Sequence, residues 1–242
     1  MTQGFRCCAI VPTYDNPDTI GAVVDEVRAR IADVIVVDDG SSAPGYAAVE
    51  ALSSLHNVRV HHRTTNGGKG AAVKDGLRMA AEMKFTHAFQ IDADGQHDLE
   101  DIPRFLEAAR SAPWALIMGS PVFGDEAPWS RVLGRRITCF WTRIETYGRR
   151  AIHDPLCGFR IYPVGEALRT ETKGNAMDFD PEIAVRLVWQ NVPVVNLLTR
   201  VRYFDREMGG VSHFRLLRDN VQISWMHTRL VTGAILRLMA PW

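Results

Sequence analysis

Short, continuously apolar runs recur along the first half of the chain and alternate with longer amphipathic stretches. The runs lie at residues 7–11, 34–37, 58–62, 87–91 and 115–118. Apolar runs of this length that lack strict alternation are typical of strands buried on both faces. Strands of this kind separated by helices predict an α/β fold, with a mostly parallel sheet covered by helices on both faces.

The stretches between the runs carry apolar residues at helical spacing. The first contains Ile20, Val23, Val24, Val27 and Ile31. Further helices are predicted at 47–55, from the glycine-rich turn at 67–70 onwards, and at 99–109, 131–150 and 179–189, and residues 192–203 are strand-like. No internal repeat or linker interrupts the pattern. The sequence therefore predicts one large domain over residues 1–211, followed by C-terminal amphipathic helices over 212–242.

Polar clusters follow the predicted strands, where ligands bind in open parallel sheets. Asp38 and Asp39 end the second strand. After the fourth strand, Asp92, Asp94 and Gln96 would share one face if the backbone stayed extended. Such oxygen ligands suit Mg2+ or Mn2+. The alternative is a strand followed by a helix that Asp98 caps, with no metal.

Composition and motif spacing exclude several classes of protein. Lys+Arg and Asp+Glu are each 28, and this balance argues against broad nucleic-acid binding. The glycine-rich turn has neither the dinucleotide-binding nor the P-loop spacing. The 4 cysteines lack Cys-x-x-Cys spacing, which indicates reduced thiols in a cytosolic protein. No leader peptide is recognisable, and no uncharged apolar run approaches the roughly 20 residues of a membrane span.

Taken together, the motifs are more specific than any one of them. They are, in chain order, Pro12-Thr13-Tyr14, Val37-Asp38-Asp39-Gly40-Ser41, Asn66-Gly67-Gly68-Lys69-Gly70, Asp92-Ala93-Asp94-Gly95-Gln96-His97, Asp154-Pro155-Leu156-Cys157-Gly158-Phe159-Arg160, Phe179-Asp180-Pro181-Glu182, and Arg206 with Gly209 and Ser212-His213. This set resembles the inverting family 2 glycosyltransferases with the GT-A fold, especially the polyprenyl- and dolichyl-phosphate sugar synthases. The resemblance covers residues 7–214.

The resemblance implies a role for each matching residue. On the donor side, the nucleotide-binding residues would be Pro12, Tyr14, Asp39, Lys69 and Asp92. The metal on the diphosphate would be held by Asp92, Asp94 and Gln96. The lid cation over the diphosphate would be Arg206. The acceptor side would comprise Arg135, Arg136, Arg160, Glu182, Ser212 and His213. If the acceptor needs a general base, the candidates are Asp154 and Asp180.

The expected activity is metal-dependent transfer of a sugar from a nucleoside diphosphate to a lipid-linked acceptor, with polyprenyl phosphate favoured. Three departures from the family pattern bear on it. Asp15-Asn16 replaces Asn-Glu, Pro121 stands where an arginine commonly contacts the lipid phosphate, and His213 replaces a lysine. Two alternatives remain: a lipid or small-molecule hydroxyl acceptor, and a non-catalytic subunit that binds nucleotide sugars. A sugar nucleotidyltransferase is disfavoured, because residues 12–15 lack a basic glycine-rich loop.

The C-terminal segment mixes apolar and basic residues. Arg215, Arg218, Arg229 and Arg237 interleave with apolar residues, against the single acid Asp219. This pattern fits helices lying on an anionic membrane surface. The alternative is a helix packed on the core with its arginines in water. The first interpretation predicts a cytoplasmic protein with peripheral contact at the cytoplasmic face of a membrane.

Overall fold

The computed structural model describes residues 4–122, 129–149, 151–201 and 216–239. The strands are β1 (Cys7–Thr13), β2 (Val34–Asp38), β3 (Val58–His62), β4 (His87–Gln90), β5 (Leu116–Val122), β6 (Arg160–Pro163) and β7 (Val194–Arg200). The α-helices are α1 (Ile20–Arg28), α2 (Ala43–Ala51), α3 (Lys69–Glu82), α4 (Ile102–Ser111), α5 (Trp129–Glu145), α6 (Val164–Arg169), α7 (Phe179–Trp189) and α8 (Leu216–Met239). Short 3-10 turns precede α4 and follow α2.

The strands form one 7-stranded sheet in the order β3-β2-β1-β4-β6-β5-β7. Strand β6 runs antiparallel to both of its neighbours, and the other pairs are parallel. The predicted mostly parallel α/β sheet is thus confirmed. The sequence pattern did not predict β6 as a strand, because it is only 4 residues long and begins with a buried arginine.

Alternating residues of the central strands belong to two apolar cores, one on each face of the sheet. Ile10 and Val37 face one layer, which contains α3, α6, α7 and α8. Val11 and Val36 face the other, which contains α1, α2 and α4. Helix α3 approaches the sheet closely at Gly76, where an added Cβ would lie 2.5 Å from Ile10 Cγ2. Burial on both faces explains why these strands read as continuous apolar runs.

Two element boundaries differ from the sequence prediction for identifiable reasons. Helix α2 begins at Ala43 rather than residue 47, because Pro44 lies in its first turn, where a missing N–H costs nothing. Strand β5 continues through Pro121 to Val122, where it pairs with β7 alone. Proline is tolerated on a strand side that makes no ladder hydrogen bonds.

The C-terminal segment contains one long helix, α8, within the described residues. Its Met226, Leu230 and Ala234 are buried, and it packs against α5 and α7. The predicted boundary at residue 211 falls outside the described residues. None of the described helices is both long enough and apolar enough to cross a bilayer. All 4 cysteines are free thiols, as predicted.

Candidate active site

The sheet order brings the polar strand ends together. Strand β1 lies between β2 and β4, so the residues that follow β2 and β4 flank the end of β1. The backbone does not stay extended past β4, contrary to the premise of the sequence argument. Gly95 adopts φ +70, and the Asp94 carboxylate accepts a hydrogen bond from the Gln96 N–H at 3.0 Å. This Asx-type turn, rather than a strand, sets where the acidic side chains lie.

Lys69 lies between two carboxylates. Its ammonium is 2.7 Å from Asp92 Oδ1 and 3.0 Å from Asp180 Oδ2. Asp180 also accepts a hydrogen bond from Gln90 Nε2 at 3.1 Å, and Tyr162 donates to Gln90 Oε1 at 2.9 Å. The glycine-rich turn is thereby joined to the end of β4 and the start of α7 by buried charge and hydrogen bonds.

These contacts shift three pKa values in directions that follow from burial and charge. Burial alone would lower the pKa of Lys69, but Asp180 and Asp92 raise it well above its usual range. Burial alone would raise the pKa of Asp92, but Lys69 and then His97 hold it well below its usual range. Burial and the neighbouring charge of Asp92 raise the pKa of Asp94. Asp92 is therefore the fixed anion of the site.

Asp39 holds the glycine-rich turn. Its carboxylate accepts hydrogen bonds from the N–H groups of Gly67 at 2.9 Å and Gly68 at 2.7 Å, and it pairs with Arg63. Gly68 has φ +97, and an added Cβ would lie 2.5 Å from Asn175 O. Only glycine fits this conformation and this close approach. Asp39 is 2% exposed, and its contact with a nucleobase stays a prediction.

The segment at 172–176 supports the turn from outside. Asn175 O accepts a hydrogen bond from the Ala71 N–H at 2.9 Å. Glu182 in turn holds this segment, because its carboxylate accepts hydrogen bonds from the N–H groups of Lys173 at 3.1 Å and Gly174 at 2.6 Å. The same buried carboxylate pairs with arginines of α7 and α8, which are Arg186 and Arg229. Glu182 thus positions backbone in this structure, whereas the resemblance had suggested contact with an acceptor.

The other predicted acceptor residues differ in accessibility. Asp154 is buried, pairs with Arg135 and accepts from the Leu156 N–H. Arg136 is exposed on α5. Arg160 is 0% exposed and donates to the carbonyls of Cys157, Pro155 and Asp180. Its described contacts are therefore structural rather than open to a substrate.

The remaining predicted residues divide into described and undescribed ones. Pro12 is buried at the end of β1, and Tyr14 is half-buried just beyond it. Arg206, Ser212 and His213 lie outside the described residues. His97 and Arg63 have no role among the residues predicted from the sequence. The His97 ring stacks on Phe159 with its Nε2 3.6 Å from Asp92 Oδ2.

Arg63 pairs with both Asp39 and Asp75. Its position directly after β3, next to the glycine-rich turn, was the only signal that the sequence offered. His97 had a clearer signal, since it directly continues the acidic motif.

The acidic residues after β4 are the candidates for holding a divalent cation. No group of three or more His, Cys, Asp and Glu side chains within the described residues is arranged to hold a metal ion unaided. Asp92 and Asp94 offer two carboxylates, and Gln96 adds an amide oxygen. Mg2+ sites that also use substrate phosphates need only one or two carboxylates. The donor set therefore fits a cation shared with a bound diphosphate.

The sheet order and the acidic strand-end site are those of a GT-A glycosyltransferase. The chain belongs to glycosyl transferase family 2, whose profile matches residues 8–165. The chain is therefore a glycosyltransferase, as the motifs predicted.

Several relatives extend over different lengths of the chain. An uncharacterized protein of Methanocaldococcus jannaschii is 26% identical over 226 residues, covering 89% of this chain and 96% of that protein. The undecaprenyl-phosphate mannosyltransferase of Micrococcus luteus is 36% identical over 119 residues, or 48% of each chain. The polyprenol monophosphomannose synthase of Mycolicibacterium smegmatis is 32% identical over 168 residues, covering 65% of this chain and 61% of that protein. The aligned regions thus span less than two thirds of the two named enzymes.

Solved structures support the same fold. Glucosyl-3-phosphoglycerate synthase from Mycobacterium tuberculosis, in complex with UDP, matches with a TM-score of 0.69 at 15% identity, covering 96% of this chain and 80% of that one. The same enzyme in complex with Mn2+, UDP-glucose and phosphoglyceric acid matches with a TM-score of 0.68 at 16% identity, with the same coverage of 96% and 80%. At this identity the likeness shows the fold alone.

Proposed function

We propose that this glycosyltransferase moves a sugar from a nucleoside diphosphate to a lipid-linked acceptor, with polyprenyl phosphate as the acceptor. The observation that carries the proposal is the convergence of Lys69 at the start of α3, Asp92 after the end of β4 and Asp180 at the start of α7. The named relatives of the chain include polyprenol-phosphate mannosyltransferases. Binding of a nucleotide sugar and Mn2+ by a GT-A neighbour supports the donor side.

On the donor side, the chain's own groups bind and orient. Pro12 and Tyr14 would line the base pocket beside Asp39. Asp92, Asp94 and Gln96 would hold Mg2+ or Mn2+, which when bound neutralises charge developing on the leaving diphosphate. Lys69 would lie beside the diphosphate and keep the Asp92 carboxylate ionised. Arg206 would supply a further cation as the site closes.

On the acceptor side, the pairing of the two candidate bases favours a phosphate. Asp154 pairs with Arg135, and Asp180 pairs with Lys69. A carboxylate tied to a cation is a poor proton acceptor, whereas an acceptor phosphate is already anionic and needs no strong base. Arg135 and Arg136 would bind that phosphate, with Ser212 and His213 beside it. The hydroxyl acceptor is the second candidate, because Pro121 removes one expected phosphate contact.

The direct test is product analysis with the full chain. Purified protein, radiolabelled nucleotide sugars and polyprenyl phosphate in detergent should yield labelled lipid only with Mg2+ or Mn2+ present. Asp94→Asn, which keeps the side-chain shape but removes the charge, should lower turnover by orders of magnitude and leave the melting temperature within a few degrees. Full turnover in excess chelator would exclude metal dependence, and label confined to water-soluble product would exclude both lipid acceptors.

The same assay separates the two acceptor types. With polyprenyl phosphate, Arg135→Ala combined with Arg136→Ala should be the more damaging change, because arginine–phosphate hydrogen bonds are charge-assisted. With a hydroxyl acceptor, Asp154→Asn or Asp180→Asn should cost roughly 10²–10⁴ in rate, the range for general-base catalysis. A folded protein that neither binds nor hydrolyses any nucleotide sugar would instead favour the non-catalytic alternative.

A further inference from the structure

A positively charged cavity lies at the end of α7 farthest from the active site. Its volume is about 230 Å³, several times the roughly 30 Å³ that a water molecule takes up in the liquid. Arg169 of α6, Arg186 of α7 and Arg237 of α8 line it, and Glu171 is the only acid among its described lining residues. Along α7, at a rise of 1.5 Å per residue, the lining residues Arg186 and Trp189 lie about 9 Å and about 13.5 Å from Asp180.

The cavity has a fixed aromatic wall. The Trp189 indole donates a hydrogen bond from Nε1 to Glu145 O at 2.8 Å. The guanidinium of Arg237 lies 4.8 Å from the centre of the Trp189 ring, and that of Arg186 lies 5.9 Å away. An added Cβ on Gly233 would be 3.1 Å from the ring, so α8 approaches Trp189 closely. Stacking on a held ring orients planar guanidinium groups.

The arginines retain capacity to bind an anion. Arg186 uses its Nε for Glu182, at 2.8 Å. Arg169 pairs with Glu166, but its side chain is 66% exposed, and exposed pairs contribute little. Within the described parts of the chain no carboxylate pairs with Arg237. Three arginines and one acid line this cavity, and guanidinium groups form charge-assisted, often bidentate hydrogen bonds with phosphate.

The last turn of α8 indicates where such a phosphate would come from. Around Arg237, Ile235 is 52% exposed, Leu236 61%, Leu238 72% and Met239 75%. A helix end that exposes apolar side chains around an arginine, beside a cationic cavity, suits the interface of a phospholipid layer. There the apolar residues reach acyl chains while arginines contact phosphates.

We propose that Arg169, Arg186 and Arg237 form a binding site for the headgroup phosphate of an anionic phospholipid. The site is separate from the donor and acceptor positions, and its existence does not depend on the transfer reaction. It would anchor the C-terminal end of α8 at a membrane surface by phosphate contacts together with the apolar last turn.

The test compares two double variants of the full chain in vesicle co-sedimentation. Arg169→Gln with Arg237→Gln removes two cavity arginines and leaves Arg186, which also supports Glu182. The matched control is Arg78→Gln with Arg110→Gln, which removes the same charge at side chains that are 59% and 55% exposed elsewhere. Vesicles of phosphatidylcholine with phosphatidylglycerol are compared with vesicles of phosphatidylcholine alone.

We expect the cavity variant to bind the anionic vesicles at least about tenfold more weakly than the control, from the usual contribution of each basic residue near an anionic surface. Equal binding by the two variants would overturn the proposal.

A second experiment titrates inorganic phosphate into both variants. If phosphate binding is lost only in the cavity variant while vesicle binding is unchanged, the site takes a free phosphate and the lipid assignment is wrong. Donor hydrolysis, measured in parallel, should be equal in both variants.

Discussion

A Cβ atom placed on Gly158 would lie 2.6 Å from Asp92 Oδ1. The loop before β6 therefore presses its backbone against the first acid of the acidic motif. The ammonium of Lys69 also holds the Asp92 carboxylate, at 2.7 Å. Moving the carboxylate away from Gly158 would therefore disturb this ion pair. The position of this carboxylate is thus set by residues far apart in the sequence.

The first prediction follows from this contact. Gly158→Ala should displace the Asp92 carboxylate and lower the transfer rate by about 10²-fold or more, because misplacing a reacting group by about 1 Å has effects of that size. The matched control is Gly21→Ala, where an added Cβ meets nothing within 4 Å. Turnover and circular dichroism should be measured together, and near-normal turnover in a folded Gly158→Ala protein would contradict the geometry.

The second prediction concerns Lys69. Lys69→Met should leave Asp92 and Asp180 without their shared cation, so that Mn2+ in the absence of donor binds more tightly than to the wild type. Donor-dependent turnover should fall, because the cation beside the diphosphate is lost. Calorimetric titration with Mn2+ measures the first effect, with the exposed Lys84→Met as control. Unchanged Mn2+ affinity would show that Lys69 does not compete for the site.

The third prediction distinguishes the two roles considered for Glu182. As a structural group, Glu182→Gln should lower the free energy of unfolding by about 2–3 kcal/mol. This is below the 3–5 kcal/mol of fully buried pairs, since its arginine partners keep partial exposure. The donor KM should rise, because the supporting segment loosens.

The control for this change is Glu107→Gln, whose side chain is 71% exposed, and which should alter stability by less than about 0.5 kcal/mol. Urea unfolding and steady-state kinetics provide the measurements. A higher acceptor KM with unchanged stability would support direct contact between Glu182 and the acceptor instead.

The fourth prediction is a pH dependence of the contact between α5 and α8. Glu145 is 0% exposed and hydrogen-bonds His227 Nδ1 at 2.6 Å. Burial raises the pKa of Glu145 above 4.5, although His227 partly opposes the shift. The folded state then binds this proton more tightly than the unfolded state. The resulting stability is fully present below pH 4.5 and is lost as pH rises through the folded-state pKa.

Glu145→Gln tests this dependence, since glutamine cannot titrate. The difference in the free energy of unfolding, wild type minus variant, should decrease as pH rises from 4.5. Denaturant unfolding at a series of pH values measures it, with Glu107→Gln as the exposed control. A difference that is constant across this range would show that Glu145 titrates alike in the folded and unfolded chain.

Much of the architecture could be predicted from local pattern. Continuous apolar runs such as 34–37 indicated strands covered on both faces, and the polar residues after them indicated a site at the sheet edge. Residues 179–189 were predicted as a helix with the bounds that α7 has. Strand β6 could not be predicted in this way, because it is 4 residues long and begins with a buried arginine. One hydrogen-bond partner of Arg160, Asp180 O, is brought near only by the tertiary fold.

The sequence by itself determined the α/β class, the family and which acids and glycines stand at the strand ends, because these depend on residue type and spacing along the chain. Only the tertiary structure decided how those side chains are used. It brought Lys69 between Asp92 and Asp180, turned Glu182 toward backbone N–H groups and α8, and buried Arg160. The physical reason is that a buried charge must find partners in space, and several partners of these residues come from distant parts of the chain.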